Sequence, residues 1–208
     1  FYYAAYKSID RFWLGGSRWM TRRVGGLRRH VVEHFRITVH DQATGLTRDI
    51  PSPRFGYFAD PFVWIEGGET YVFAEEFDCS RDRGELVVMK LDNLLNVVSC
   101  QALQYEGAGS AISCHASFPF LFRFDGNVYM LPETCARNSV DLFICVEWPA
   151  KWRLMRRLLF GIDAADSALI EKEGKWWLLT SVRSGHDNRH LAIYDLADLH
   201  RDVPVSHP

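Results

Sequence analysis

No stretch of this chain approaches the roughly 18 consecutive apolar residues of a membrane-spanning helix, and no signal peptide opens it. An excess of charge of one sign is missing too. The 24 Lys and Arg stand against 26 Asp and Glu, a net of −2, so no global field calls for nucleic acid or an anionic membrane. Cysteines number only 5 and show no CxxC spacing. Cys79, Cys100, Cys114, Cys135 and Cys145 therefore read as reduced thiols of a cytoplasmic protein, not as a disulfide frame. Also absent are a Walker loop, a dinucleotide fingerprint, a nucleophile elbow and a second histidine at ligand spacing from His115. These absences argue against nucleotide cofactors and a catalytic zinc, and the expectation is no cofactor and no metal.

What is present is core-forming material. Hydrophobic residues make up 48% and aromatic residues 14% of the 208, the composition of a folded globular chain. The chain begins at Phe1 and reads as an excerpt of a longer protein. Residues 17–30 carry five arginines and no acid, with Gly25 and Gly26 interrupting any helix. Residues 1–33 are accordingly read as a basic connector or the tail of a preceding domain, and residues 34–208 as the folded module.

A repeat organises that module. ADPFVWIEGGETYVFAEE (59–76), SFPFLFRFDGNVYMLPET (117–134) and ADSALIEKEGKWWLLTSV (165–182) align without a gap, spaced 58 and 48 residues apart. Each is an apolar strand, a tight GG, DG or EG turn and an aromatic-rich returning strand, the grammar of a β-hairpin. GELVVMKLD (84–92) and VVSCQALQY (97–105) supply third and fourth strands to the first copy. DLFICVE (141–147) and WRLMRRLLF (152–160) do so for the second, and HLAIYDL (190–196) is the third strand of the last. Four-stranded antiparallel units at this period predict an all-β fold, a β-propeller. About three blades are present, and propellers have roughly four to eight. Either two blades follow Pro208 or the ring is open; HFRITVHDQ (34–42) is a candidate outer strand.

FADPFV, YVFAEEF with GELVV, HASFPFLFRFDGNVYMLPET, EWPAKWRL and DAADSALIEKEGKWWLL together resemble one known module. It is the N-terminal domain of plant glucosamine inositolphosphorylceramide transferases, found also in bacterial surface-glycan loci. That module is similar to the five-bladed propeller of family 43 glycoside hydrolases. The resemblance implies an incomplete propeller of that type, a glycan or glycolipid substrate in surface-polysaccharide or glycolipid synthesis, and a transferase domain fused elsewhere in the parent protein.

The blade repeat aligns Asp60 with Phe118 and Asp166, at strand starts that should converge on the hub. Two carboxylates facing one pocket are the requirement for glycoside hydrolysis, and their mutual repulsion would hold a proton near neutral pH. The resemblance makes Asp60 the base and Asp166 or Glu133 the acid or pKa modulator of an inverting hydrolase or transferase. Phe118 stands where another acid is expected, which leaves a non-catalytic glycan-recognition or scaffold role open. Glu75 and Glu133 occupy matched positions and read as ligands either of the next blade's backbone or of sugar hydroxyls. His115 and Trp177 complete the candidate substrate contacts, and the adjacent Trp176 and Trp177 must face opposite sides of their strand.

Overall fold

The computed structural model describes residues 3–10, 34–107, 109–185, 188–196 and 205–206. Among the described residues every regular element is a strand apart from a single 3-10 turn at Cys135–Arg137, and no helix is long and apolar enough to cross a membrane. The first sheet joins β1 (Tyr3–Asp10), β2 (His34–Asp41) and β3 (Thr47–Asp49). Blade one is the antiparallel ladder β4 (Gly56–Glu66), β5 (Glu69–Asp78), β6 (Arg83–Leu91) and β7 (Val97–Ala102). A short β8 (Gln104–Glu106) follows. Blade two runs β9 (Ser117–Phe124), β10 (Asn127–Glu133), β11 (Ser139–Glu147) and β12 (Lys151–Phe160). Blade three has β13 (Ala164–Lys172), β14 (Lys175–Ser184) and β15 (Asn188–Asp195), and β16 (Val205–Ser206) returns to pair with β12.

The alternation along each second strand builds the ring, because odd and even residues leave a strand on opposite faces. In β5, Val72 and Ala74 join Ile37, Val39 and Ile50 of the first sheet, while Tyr71 and Phe73 turn toward blade two. Val128 and Met130 of β10 meet them there, and Tyr129 and Leu131 face blade three, where Trp176, Leu178 and Val182 await. Each core is thus an interface between successive sheets, and the chain forms a partial β-propeller. The far face of blade three is apolar and open, with Ile170, Leu191 and Ile193 each at least half exposed.

Two strand assignments need correction. The segment 97–105 is not one outer strand. Leu103 turns inward and gives its N–H to the Leu86 carbonyl, and Gln104 N–H then bonds the Ala150 carbonyl. Burying Leu103 breaks the ladder there, so β8 pairs in parallel with β12 of the next blade. Residues 34–42 are likewise not an outer strand of any of the three blades. β2 pairs along its whole length with β1 and, at Thr38–His40, with β3, in a separate sheet packed against blade one.

The three blades share a backbone irregularity. Ala59 pairs with Glu75 and Phe62 with Phe73; Ser117 with Glu133 and Phe120 with Leu131; Ala165 with Ser181 and Ala168 with Leu179. In each case the innermost strand carries one residue more than its partner, which is a β-bulge. The residue opening each bulge is left-handed: Asp60 at φ 48°, Phe118 at 44° and Asp166 at 51°. Aspartate visits this region more readily than most L-residues because its short polar side chain can bond locally. Phenylalanine has no such help, and Phe118 holds a strained conformation.

Candidate functional site

The matched bulges place residues 60, 118 and 166 at the same blade position, and bulges of this kind re-aim side chains next to functional sites. Asp60 and Phe118 are half-buried, whereas Asp166 is exposed. Glu133, at the end of β10, bridges blades. Its Oε2 accepts the Asp166 N–H at 3.2 Å, so the carboxylate holds the entrance of β13. Burial raises the Glu133 pKa, and the nearby charges of Asp166 and Asp60 push it the same way, opposed by the Asp166 N–H bond and by Arg189. The charges of Asp60 and Asp166 thus both reach Glu133 and disfavour its ionised form.

Glu75 does the corresponding work one blade earlier. It is 5% exposed, and its Oε1 lies 3.5 Å from Nε2 of His115, in the segment that leads into β9. His115 Nδ1 accepts the Gly84 N–H at 3.0 Å, so the neutral ring carries its proton on Nε2, facing Glu75. Burial lowers the His115 pKa, and the negative charge of Asp60 partly offsets that. The close approach of Gly84 to this pair also requires its missing side chain, because a Cβ there would sit 2.0 Å from Glu75 Oε1. Matched Glu75 and Glu133 thus each tie their blade to the next.

Trp177 is not part of this cluster. It pairs with Ile170 near the Gly174 turn, whereas Ala165, beside Asp166, pairs with Ser181 at the other end of the hairpin. Its neighbour Trp176 is buried against Phe122 and Phe124, which leaves Trp177 on the open face of blade three in a shallow groove with Ile170, Leu179 and Ile193.

Several relevant groups carried no sequence signal. Arg189 reaches across from β15, bonding the Ser181 carbonyl at 3.1 Å and Asp163 Oδ1 at 3.0 Å, and so brings positive charge toward Glu133. Asp141 is fully buried between Arg137 Nε at 3.2 Å and Arg157 Nε at 2.9 Å. Arg137 in turn bonds the Gly109 and Ala111 carbonyls, fastening the loop that carries His115. Among the described residues no group of three or more His, Cys, Asp or Glu is arranged to hold a metal ion. Cys79, Cys100, Cys114 and Cys145 are free thiols.

Comparison with known proteins fits this architecture. The chain is 15% identical to a β-xylosidase of known structure, with a TM-score of 0.58 over 85% of this chain and 67% of that one. A family 43 β-xylosidase/α-arabinofuranosidase from a compost metagenome gives 14% identity and a TM-score of 0.57, over 86% of this chain and 67% of its own. These likenesses show the fold, that of the five-bladed family 43 propeller, covered in part. In sequence, the chain is 29% identical over 144 residues to glucosamine inositolphosphorylceramide transferase 1 of Oryza sativa subsp. japonica, covering 66% of this chain and 18% of that protein. The Arabidopsis thaliana protein of the same name is 28% identical over 131 residues, covering 62% and 16%. The chain thus spans less than a fifth of the length of these curated relatives. The family model for the N-terminal region of glucosamine inositolphosphorylceramide transferase 1 matches residues 44–198, and the chain belongs to that family.

Proposed function

We propose that this chain is a glycan-engaging propeller module, in which Asp60, Glu133 and Asp166 at the hub receive the hydroxyls of a sugar. The observation that carries the reading is their shared neighbourhood at the matched bulges of separate blades. The bulge alone does not demand aspartate, since Phe118 occupies the same backbone position. Acids at 60 and 166 therefore have a use beyond accommodating the turn. Carboxylates paired with an apolar ring are the materials of a carbohydrate site, which combines a few placed polar groups with apolar walls. The relatives are named as transferases and are far longer, which supports a module that presents a glycan or glycolipid to a transferase domain elsewhere in the protein.

A second reading, hydrolysis or transfer at a glycosidic bond, is favoured by the raised pKa of Glu133 beside Asp60. Glu133 would give its proton to the leaving oxygen while Asp60 activates the attacking hydroxyl or water, the division of labour of an inverting enzyme. One experiment separates the two. A panel of oligosaccharides is screened for binding by calorimetry, and aryl xylosides and arabinofuranosides are assayed for turnover, with wild type and Asp60→Asn. Binding without turnover, weakened by Asp60→Asn, is the expected result. Turnover abolished by Asp60→Asn would establish the catalytic reading instead. Glycan binding that is unchanged in both Asp60→Asn and Asp166→Asn removes the hub from either account.

A further inference from the structure

A second pocket lies on the other side of the His115 segment. A cavity of about 160 Å³ opens between β6, the end of β7, β8 and the loop into β9, with Arg83, Glu85, Leu103, Tyr105, Ile112 and Cys114 on its walls. Tyr105 Oη and Arg83 Nε are both buried, and neither has a hydrogen-bond partner among the described residues. The Tyr105 ring is fixed edge-on against Phe143 of blade two, centroids 5.5 Å apart. Arg83 Nη2 is 3.5 Å from Glu85 Oε1. Two buried polar groups left unpaired in one cavity are costly, and native proteins pair such groups with ligand or water.

The donor set indicates what would satisfy them. Arg83 Nε–H can only donate, Glu85 can only accept when ionised, and the Tyr105 hydroxyl does both. An oxoanion would meet the Glu85 carboxylate, and a cation would meet Arg83. A hydroxyl both accepts and donates, so one hydroxyl can accept from Arg83 and donate to Glu85 while its neighbour pairs with Tyr105. Leu103 and Ile112 then cover the carbon frame. A cavity of roughly 150 Å³ admits benzene, a molecule of six heavy atoms. That is the size of glycerol or of one edge of a sugar ring. We propose that this cavity is a binding site for a vicinal diol, presented by a small polyol or by a sugar unit. It is separate from the acid cluster and does not rest on the hub reading.

The two sites share a wall. Ala116 N–H bonds the Gly84 carbonyl at 3.0 Å, and Gly84 N–H bonds His115 Nδ1 at 3.0 Å. Cys114 therefore lines the diol cavity while the next residue faces Glu75.

Cys114 supplies the readout. The whole chain is alkylated with iodoacetamide, and the rate at each cysteine is followed by mass spectrometry in glycerol, methyl α-glucopyranoside or 1-propanol. Glycerol is expected to slow labelling of Cys114 saturably, leaving exposed Cys79 unchanged, and 1-propanol, with one hydroxyl, gives no protection. Protection by the methyl glucoside as well identifies a sugar unit as a ligand; protection by glycerol alone identifies a small free polyol. Tyr105→Phe keeps the ring and should weaken protection about tenfold, the loss of one hydrogen bond. No protection in wild type or protection without saturation means a cavity filled by water only, equal protection by 1-propanol means that a second hydroxyl is not recognised, and each of these overturns the proposal. So does saturable protection that Tyr105→Phe leaves intact.

Discussion

Replacing Gly84 by alanine tests the packing at the junction of blades one and two. Gly84 is the second residue of β6 and pairs with Phe77 of β5. A Cβ at this position would lie 2.0 Å from Oε1 of Glu75 and 2.8 Å from both its Cδ and Cγ. Real Cβ atoms do not approach that closely, so Glu75 must swing away. Its carboxylate is 5% exposed and lies 3.5 Å from His115, so the movement takes it from its partner. Overpacking a dense site costs about 1–3 kcal/mol. Against that, alanine in a strand gains about 0.5–1 kcal/mol over glycine because the unfolded chain loses freedom. The net cost is about 0–2.5 kcal/mol, with a midpoint near 1 kcal/mol. In a chain of this size a cost near 1 kcal/mol lowers the melting temperature by roughly 2–4 °C.

A double-mutant cycle makes the cause identifiable. Glu75→Ala removes every atom the new methyl would strike. In that background Gly84→Ala should be neutral or stabilising, giving a coupling of about 1–3 kcal/mol between positions in contact. Urea denaturation of the four proteins measures it. The reasoning fails if Gly84→Ala stabilises the wild-type chain, or if its cost is the same with and without the Glu75 side chain.

Three further outcomes follow from the same geometry. Burial depresses the His115 pKa, so His115 should titrate below 6.5 in an NMR pH series. Asp60→Asn removes the charge that props it up and should move it lower still; an unchanged midpoint would separate the two residues. Because the folded chain holds this ring neutral, stability should fall as pH drops from 6.5 through the folded-state value. Glu133 behaves in the opposite sense: its raised pKa means that ionisation costs stability as pH climbs from 4.5 through the folded-state value. Glu133→Gln keeps an oxygen for the Asp166 N–H and should gain melting temperature relative to wild type between pH 4 and pH 7. A constant offset across that range would contradict the shift. Asp141→Asn strands two arginines at a fully buried carboxylate and should cost about 3–5 kcal/mol in urea denaturation. Asp49→Asn breaks an exposed pair with Arg36 at 3.5 Å and should cost under about 1 kcal/mol. Equal losses would mean that burial is not what matters at Asp141.

The hairpins were legible because strand alternation and a turn glycine are local properties, and both recur in all three copies. Matching Glu75 with Glu133 likewise pointed to a shared task, since each reaches into the next blade, one at the His115 ring and the other at the Asp166 N–H. What depended on a partner distant in sequence was hidden. Leu103 looks like one more residue of an alternating strand until Leu86 takes its N–H and Ala150 takes the next. Nothing in the segment around His115 announces Gly84, 31 residues earlier, as the donor that sets its tautomer. Trp177 could have been placed by counting along its hairpin. It lies three residues past the Glu173–Gly174 turn and Asp166 lies seven residues before it, which puts them at opposite ends of the hairpin.

Asp60 is an acid placed directly before Pro61 inside the largely apolar β4. A left-handed bulge explains why aspartate is tolerated there and at Asp166. It does not explain why aspartate is used, because Phe118 adopts the same conformation at greater strain and the bulge forms regardless. If backbone preference alone set these positions, phenylalanine would be the last residue to find at the middle one. The left-handed bulge is therefore a property of the blade backbone that does not depend on aspartate, and on the reading proposed above the acids at 60 and 166 are what the blades offer to a glycan.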